Sequence, residues 1–469
     1  MTVYDQVEYP SRPFAQCHPD RLAVMARLYG LDPEPPDRAR VLEIGCGDGL
    51  NLIASAMVLP QTRFHGIDLS RAAIRRGRRM VRELGIANVR LEQRDVWEFA
   101  PGRGRYHYVV AHGFYSWVPR DVREALLEAI SDSLTTNGIA FVSYNVYPGA
   151  YLRRMVREMA VMFAGFSVAD ARRWLSEAAV LPSGPPVYRA VLADEAADML
   201  RRDDGALYHD DLSEFNEPVY FRDFVDHVAK FGLEYVSEAE HGVTEHGATE
   251  HGATSSRGPD RVFAGQYGDF LTGRRFRQTV LCRKGRPVQA EPNCSRLKDC
   301  FAGGPVNPGK ILSDGRFLYE SRVGGRIITE NTEERLILES VAAAWPAYIR
   351  VDGLEDRVLN LFGAGMIDVR TVAPPVGPRA GRTRPEASAL ARWQAARGLS
   401  VTSLHHIEVL LGSESLRLLL SLADGTRTRA GLIRDLNSIY PSDSKDNVAL
   451  AVDRHLEELR QYGLILCRD

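Results

Sequence analysis

Cysteine is scarce and never paired along the chain: Cys17, Cys46, Cys282, Cys294, Cys300 and Cys467 are scattered over 469 residues without a CxxC. That spacing offers neither a disulfide framework nor a zinc knuckle, and it suits reduced thiols. A long apolar run is also missing, and the opening MTVYDQVEYPSRPF holds no signal-like core. The expectation is a soluble, cytoplasmic protein with no membrane partner. Charge of one sign is lacking too. A formal net charge of −2 supplies no electrostatic reason to bind nucleic acid or an anionic surface. At this length more than one core is expected, about two to four domains.

The N-terminal half alternates strand and helix patterns. RVLEIGCG reads as a buried strand, LNLIASAMVL as the helix leaving it, and RFHGIDLS, VRLEQRDV, YHYVVAHG and GIAFVSYNV as four further strands separated by helices. Such alternation predicts a parallel, doubly wound α/β sheet. After Pro148 a helical region intervenes, about residues 150–230, before LEYVSEAE and RRFRQTVLCRK complete the sheet. The expected catalytic unit is therefore 1–285, with those helices inserted over its carboxyl edge. Between its last strands, EHGVTEHGATEHGAT (240–254) repeats every five residues. Its histidines invite a metal, but the low complexity favours a surface loop, so no metal site is assigned.

From residue 286 the alternation stops. RFLYESRVGGRIITEN predicts a hairpin turning at Gly324-Gly325, within a middle domain of residues 286–372. APPVGPRAGRTRP carries four prolines and marks a linker, drawn as 373–398. Residues 399–469 follow as three helices and a short strand, a winged-helix-like pattern. They hold eight Lys/Arg against ten Asp/Glu, which argues against DNA and for a structural or protein-contact role.

The stretch VLEIGCGDGLN asks what its bare backbone holds. Gly45, Gly47 and Gly49 make G-x-G-x-G, with Leu50 where a dinucleotide fingerprint needs its third glycine. Glu43 lies two residues upstream, positioned for the amino-acid end of S-adenosylmethionine as in class I methyltransferases. Asp68, followed by Leu69, ends the second strand, where a carboxylate can accept from two ribose hydroxyls. Asp95 with Val96 follows the third, an acceptor for an adenine amino group beside an apolar surface. Acids at successive strand ends point to S-adenosylmethionine as the cofactor.

The segments YPSRPFAQCHPDRLA, VLEIGCGDGLNLI, GIDLS, AHGFYSWVP, SYNVYPG, NEPVYF and RRFRQTVL together resemble the bacterial methyltransferases that carry a methyltransferase regulatory domain. The rickettsial protein lysine methyltransferases that modify an outer-membrane protein are among them. The resemblance is strong over 1–285 and lies mostly in organisation beyond. It implies a Rossmann-like class I methyltransferase domain followed by smaller α+β and winged-helix-like domains, with dimerisation through the middle one. It also places the loop, ribose and adenine contacts on Gly45, Gly47, Gly49, Asp68 and Asp95. QCHPD stands where the family has QTHPD, and the histidine repeat is an addition. The chain is also shorter at its C-terminal end.

A lysine acceptor must lose its proton, which an apolar or aromatic pocket favours. The segments after the fourth and fifth strands offer His112, Tyr115, Trp117, Tyr144 and Tyr147. Tyr115 and Tyr144 are expected to flank the accepting nitrogen, with Trp117 and Tyr147 at the entry, while Phe114 reads as core. His112 is either a base or a cofactor contact. The expected reaction is N-methylation of lysine in a protein or peptide substrate by a homodimeric enzyme. A carboxyl O-methyltransferase using Arg120, Arg153 or Arg154 is the alternative, as is a non-catalytic cofactor-binding regulator.

Overall fold

The computed structural model describes residues 7–180, 183–240, 260–377, 383–440 and 445–466. The histidine repeat from residue 241 and Cys467 lie outside them. Seven strands form one sheet: β1 (Arg40–Ile44), β2 (Arg63–Asp68), β3 (Val89–Gln93), β4 (Tyr106–Ala111), β5 (Leu134–Asn145), β6 (Leu233–Glu238) and β7 (Phe276–Arg283). Their order is β3-β2-β1-β4-β5-β7-β6. The first five run parallel, and β7 enters antiparallel between β5 and β6.

Period-two alternation divides the apolar strand residues between two cores. Val41, Val110, Phe141 and Val280 face helices α1 (Pro19–Leu28), α2 (Leu50–Val58) and α3 (Arg71–Glu83). Leu42, Val109, Val142 and Leu281 face α4 (Arg120–Ser133) and Phe224 and Val228. Helix α3 is arginine-rich, yet its Ala73, Ile74, Gly77 and Met80 form one buried stripe. Most of its arginines meet solvent, and Ser70 caps its first turn through Ala73 N–H (3.1 Å).

Helices α5 (Ala150–Ala164), α6 (Val168–Val180) and α7 (Pro186–Leu200) form the insertion between β5 and β6. They pack on a core of their own through Val156, Ala160, Leu175, Ala196 and Met199. Helices α8 (Phe221–Ala229) and α9 (Arg261–Thr272) flank the last two strands.

Residues 286–372 contain the expected hairpin, Phe317–Glu320 against Arg326–Thr329, and helices Thr332–Ala344 and Glu355–Gly363. The boundary drawn at 285 does not separate two cores. Leu22, Val24 and Met25 of α1 share one cluster with Leu297, Ala302, Leu338 and Val369.

The linker is shorter than 373–398. Ala387, Ala391 and Ala395 are buried with Leu419, Leu432 and Leu459 of the C-terminal helices, and Ala387 bridges Ile465. Proline content marks where the chain leaves one body, but the apolar alanine face of Ala389–Ala395 places that helix in the next. A second expectation also needs amendment: the C-terminal module contains a hairpin, Ser400–Thr402 against Glu408–Leu410, ahead of its three helices.

Candidate active site

The strand order reverses between β1 and β4, where open α/β sheets bind ligands at their carboxyl ends. A cavity of about 980 Å³ opens there. Its floor is the glycine loop, held to β2 by Gly45 N–H and Cys46 N–H donating to Ile67 O (2.9 and 3.1 Å). Gly45, Gly47 and Gly49 all have left-handed φ, 75°, 57° and 76°, which favours glycine. A side chain at Gly45 would strike Phe114, and one at Gly49 would strike Leu91. At Gly47 it would meet open space, so the bare backbone faces the cavity.

Three acids stand around that backbone. Asp68 accepts from Gly47 N–H at Oδ2 (2.8 Å) and from Ser70 N–H at Oδ1 (2.7 Å), so the loop and the carboxylate fix each other. Asp95 caps the turn Val96–Glu98 through Trp97 N–H (3.0 Å). Leu69 and Trp97 are half exposed on the cavity wall with Val96 beside them. Glu43 is buried: Oε1 accepts from Asn51 Nδ2 (3.1 Å), while Oε2 has no hydrogen-bond partner among the described residues. Burial, with Asp68 and Asp48 nearby, pushes its carboxyl from 4.5 up to about 8. An orphaned buried carboxyl oxygen on a cavity wall can receive a ligand donor.

The aromatic cluster divides differently from the expectation. Tyr115 and Tyr144 do not line the cavity. Tyr115 bonds His227 Nδ1 through its hydroxyl (2.7 Å) and packs edge-on to Phe224. Tyr144 stacks on Phe224 (3.8 Å) and bonds Thr279 Oγ1 (2.9 Å). Both are fully buried core residues, placed there because α8 brings Phe224 against the sheet. Tyr147 also stays out of the cavity, stacked on Tyr151 (4.1 Å) and accepting from Arg154 Nη1 (2.7 Å). Trp117 and His112 do line it, and Phe114, read as core, lines it as well. The Trp117 indole N–H has no partner among the described residues. His112 packs on Phe14 (3.9 Å) and meets Ser143 Oγ through Nδ1 (3.0 Å). Desolvation lowers its pKa to about 4, so at neutral pH it is an uncharged wall residue and a poor base for an ammonium.

The remaining walls include residues the sequence did not single out. Tyr9, Ser11, Arg12 and Phe14 bring an N-terminal strap across the opening, and Asp198, Arg202, Asp210 and Asp211 join Arg153 from the insertion. Arg153 pairs with Asp211 (2.8 Å) and Asp198 (2.9 Å), so this wall is polar but internally neutralised. Asn145, at the end of β5, donates from Nδ2 to Asn216 Oδ1 (3.1 Å), and Asn216 Nδ2 donates to the Asp210 carbonyl (2.7 Å). A carbonyl only accepts, so it fixes both amide orientations and leaves Oδ1 as the acceptor of Asn145. The motifs SYNVYPG and NEPVYF contained that pair; nothing local to either indicated that they meet. Among the described residues no His/Cys/Asp/Glu group is arranged for a metal, and no helix is long and apolar enough to cross a membrane.

The sheet order, the antiparallel β7 and the acid-ringed glycine loop define a class I methyltransferase fold. Residues 42–140 match a family described as a methyltransferase domain, 203–283 a predicted methyltransferase regulatory domain, and 383–444 a PKMT C-terminal winged helix domain. An uncharacterised Rickettsia prowazekii protein, RP028, is 34% identical over 235 residues, 48% of this chain and 94% of its own length. A second from that organism, RP789, is 31% identical over 66% of this chain, but the chain spans only 58% of it. The solved structure of PKMT2 from Rickettsia typhi superposes with a TM-score of 0.85 at 25% identity, covering 97% of this chain and 99% of that one. The same protein in complex with AdoHcy gives 0.84 over the same shares. The chain belongs to the S-adenosylmethionine-dependent class I methyltransferases that carry a methyltransferase regulatory domain.

Proposed function

We propose that the protein N-methylates lysine side chains of a protein or peptide, with S-adenosylmethionine as methyl donor. One observation carries the reading: a single cavity is lined both by the three acids at the ends of β1–β3 and by Asn145, Asn216 and Trp117. When bound, the cofactor supplies a methyl group activated on a sulfonium. Glu43 Oε2 would receive its ammonium, Asp68 its ribose hydroxyls, and Asp95 its adenine amino group, with Leu69 and Val96 against the ring. Gly45, Gly47 and Gly49 keep backbone rather than side chains under it, and His112 is a wall contact.

On the acceptor side, Asn145 Oδ1 orients an amine N–H. Trp117 and Phe114 exclude water and favour the neutral amine by desolvation. In-line displacement asks for little more than alignment. The likeness to PKMT2 along nearly the whole chain supports a lysine acceptor. The three arginines expected for the carboxyl alternative are engaged elsewhere: Arg120 is exposed and pairs with Glu124, and Arg153 and Arg154 pair with Asp211, Asp198 and Glu158. The reading includes a cytoplasmic homodimer joined through residues 286–469, with no nucleic-acid or membrane partner. A dimer mass in light scattering at micromolar concentration checks the assembly.

The activity test is transfer of labelled methyl groups to fractionated cell extract. Label that survives mild alkali is expected from a methylamine; label released as methanol would mean a methyl ester.

A further inference from the structure

Asn51 opens α2 just after the glycine loop, and its side chain is tied to a residue 355 positions away. Its Oδ1 accepts from Phe14 N–H (3.0 Å), a group that can only donate. This fixes the amide with Nδ2 toward Glu43 Oε1 (3.1 Å) and Cys17 Sγ (3.3 Å). The second contact on Oδ1 is His406 Nε2 at 2.7 Å, so that nitrogen carries the proton.

His406 sits at the tip of the C-terminal hairpin with a left-handed φ of 64°, uncommon for a residue with a Cβ. It is buried and packs edge-on to His18 (5.0 Å). The tight turn 403–407 closes through Ser403 N–H to Ile407 O (2.9 Å) and His406 N–H to Ser403 O (3.0 Å). Leu404 N–H ties it to Gly463 O (2.9 Å) at the end of the last helix. The module is seated again on α3, where Glu83 Oε2 accepts from Trp393 Nε1 (2.7 Å) and Arg397 Nη2 (2.8 Å). A strained backbone that aims one donor at one amide is a positioning device.

We propose that His406 is a positioning residue for the cofactor loop: through Asn51 it orients Glu43, and it thereby links seating of the C-terminal module to cofactor affinity. The inference rests on the cofactor reading above. Linkage is reciprocal: a partner that lifts the hairpin away weakens cofactor binding, and bound cofactor tightens the hairpin.

The test uses the full chain, S-adenosylhomocysteine as probe, and His406→Gly. Glycine relieves the left-handed backbone while deleting the donor, so the hairpin turn is retained, and affinities are compared at a temperature where both proteins are fully folded. Calorimetric titration should nonetheless show about three- to thirtyfold weaker binding, the scale of one buried hydrogen bond to a positioned group. In an Asn51→Ala background the same substitution should change binding less than twofold. Hydrogen exchange at 400–410 should slow on ligand addition in the parent and not in His406→Gly. Equal affinities in parent and His406→Gly, or an undiminished loss in the Asn51→Ala background, overturn the linkage alone. No binding by the parent chain overturns the cofactor reading and the linkage together.

Discussion

A carboxyl held near pKa 8 on the wall of a ligand cavity changes what binding does to protons. Unliganded Glu43 carries a proton at neutral pH, and a cationic ammonium beside Oε2 favours the ionised form, so cofactor binding should release protons. Titrations at pH 7 in two buffers of different ionisation heat should give enthalpies that diverge in the direction of release; equal enthalpies contradict the assignment. The same shift has a stability sign. The folded state holds the proton between 4.5 and about 8, so this stabilisation is complete below 4.5 and lost as pH rises through about 8. Glu43→Gln should flatten that slope in the ligand-free protein. Asp68→Ala removes acceptors for both loop and ligand and should weaken cofactor binding by about 1–3 kcal/mol.

The tyrosines make the opposite prediction. Tyr144→Phe deletes a hydrogen bond to Thr279 and should cost about 1 kcal/mol in urea unfolding with turnover per folded molecule unchanged. Asn145→Ala should lower turnover with cofactor affinity intact. The acids were legible in the sequence because loop spacing and strand ends locate them within a few residues. Tyr115 and Tyr144 were not: an aromatic after a strand looks the same in core or pocket, and the deciding contacts, Phe224 and His227, arrive from a helix far along the chain. Asn51 was invisible as a junction for the same reason.

At the scale of elements, alternating apolar strands and turn-bounded helices announced all seven strands of the sheet, because burial on two faces imposes a period that survives in sequence. The insertion was legible as helical and as lying over the carboxyl edge, but its polar lining was not, since that depends on ion pairs that form only after packing. Arg153 is mostly buried and faces Asp211, which is more so. Arg153→Ala leaves that carboxylate without its bidentate partner and should cost about 3–5 kcal/mol. Hydrogen exchange should report the loss locally, with faster exchange across residues 150–212 and unchanged protection in β1, β4 and β5. Uniform acceleration would mean that the insertion and the sheet unfold as one unit.

For the whole molecule, domain boundaries read from composition proved less informative than the cores. The proline-rich stretch ended earlier than drawn because Ala389–Ala395 carries an apolar face for the C-terminal helices. The cut at 285 passes through one continuous core that joins α1 to Leu297, Ala302 and Leu338. A fragment of residues 1–285 would expose that face of α1 and should aggregate or unfold non-cooperatively; a cooperatively melting fragment that binds cofactor would show the core to be divisible. The chemical identity of the product decides between a lysine and a carboxylate acceptor. Full-length protein, incubated with methyl-labelled S-adenosylmethionine and cell-extract proteins and then subjected to complete acid hydrolysis, should yield the label as Nε-methylated lysine. Label recovered only as methanol, or no transfer above a protein-free control, would contradict it.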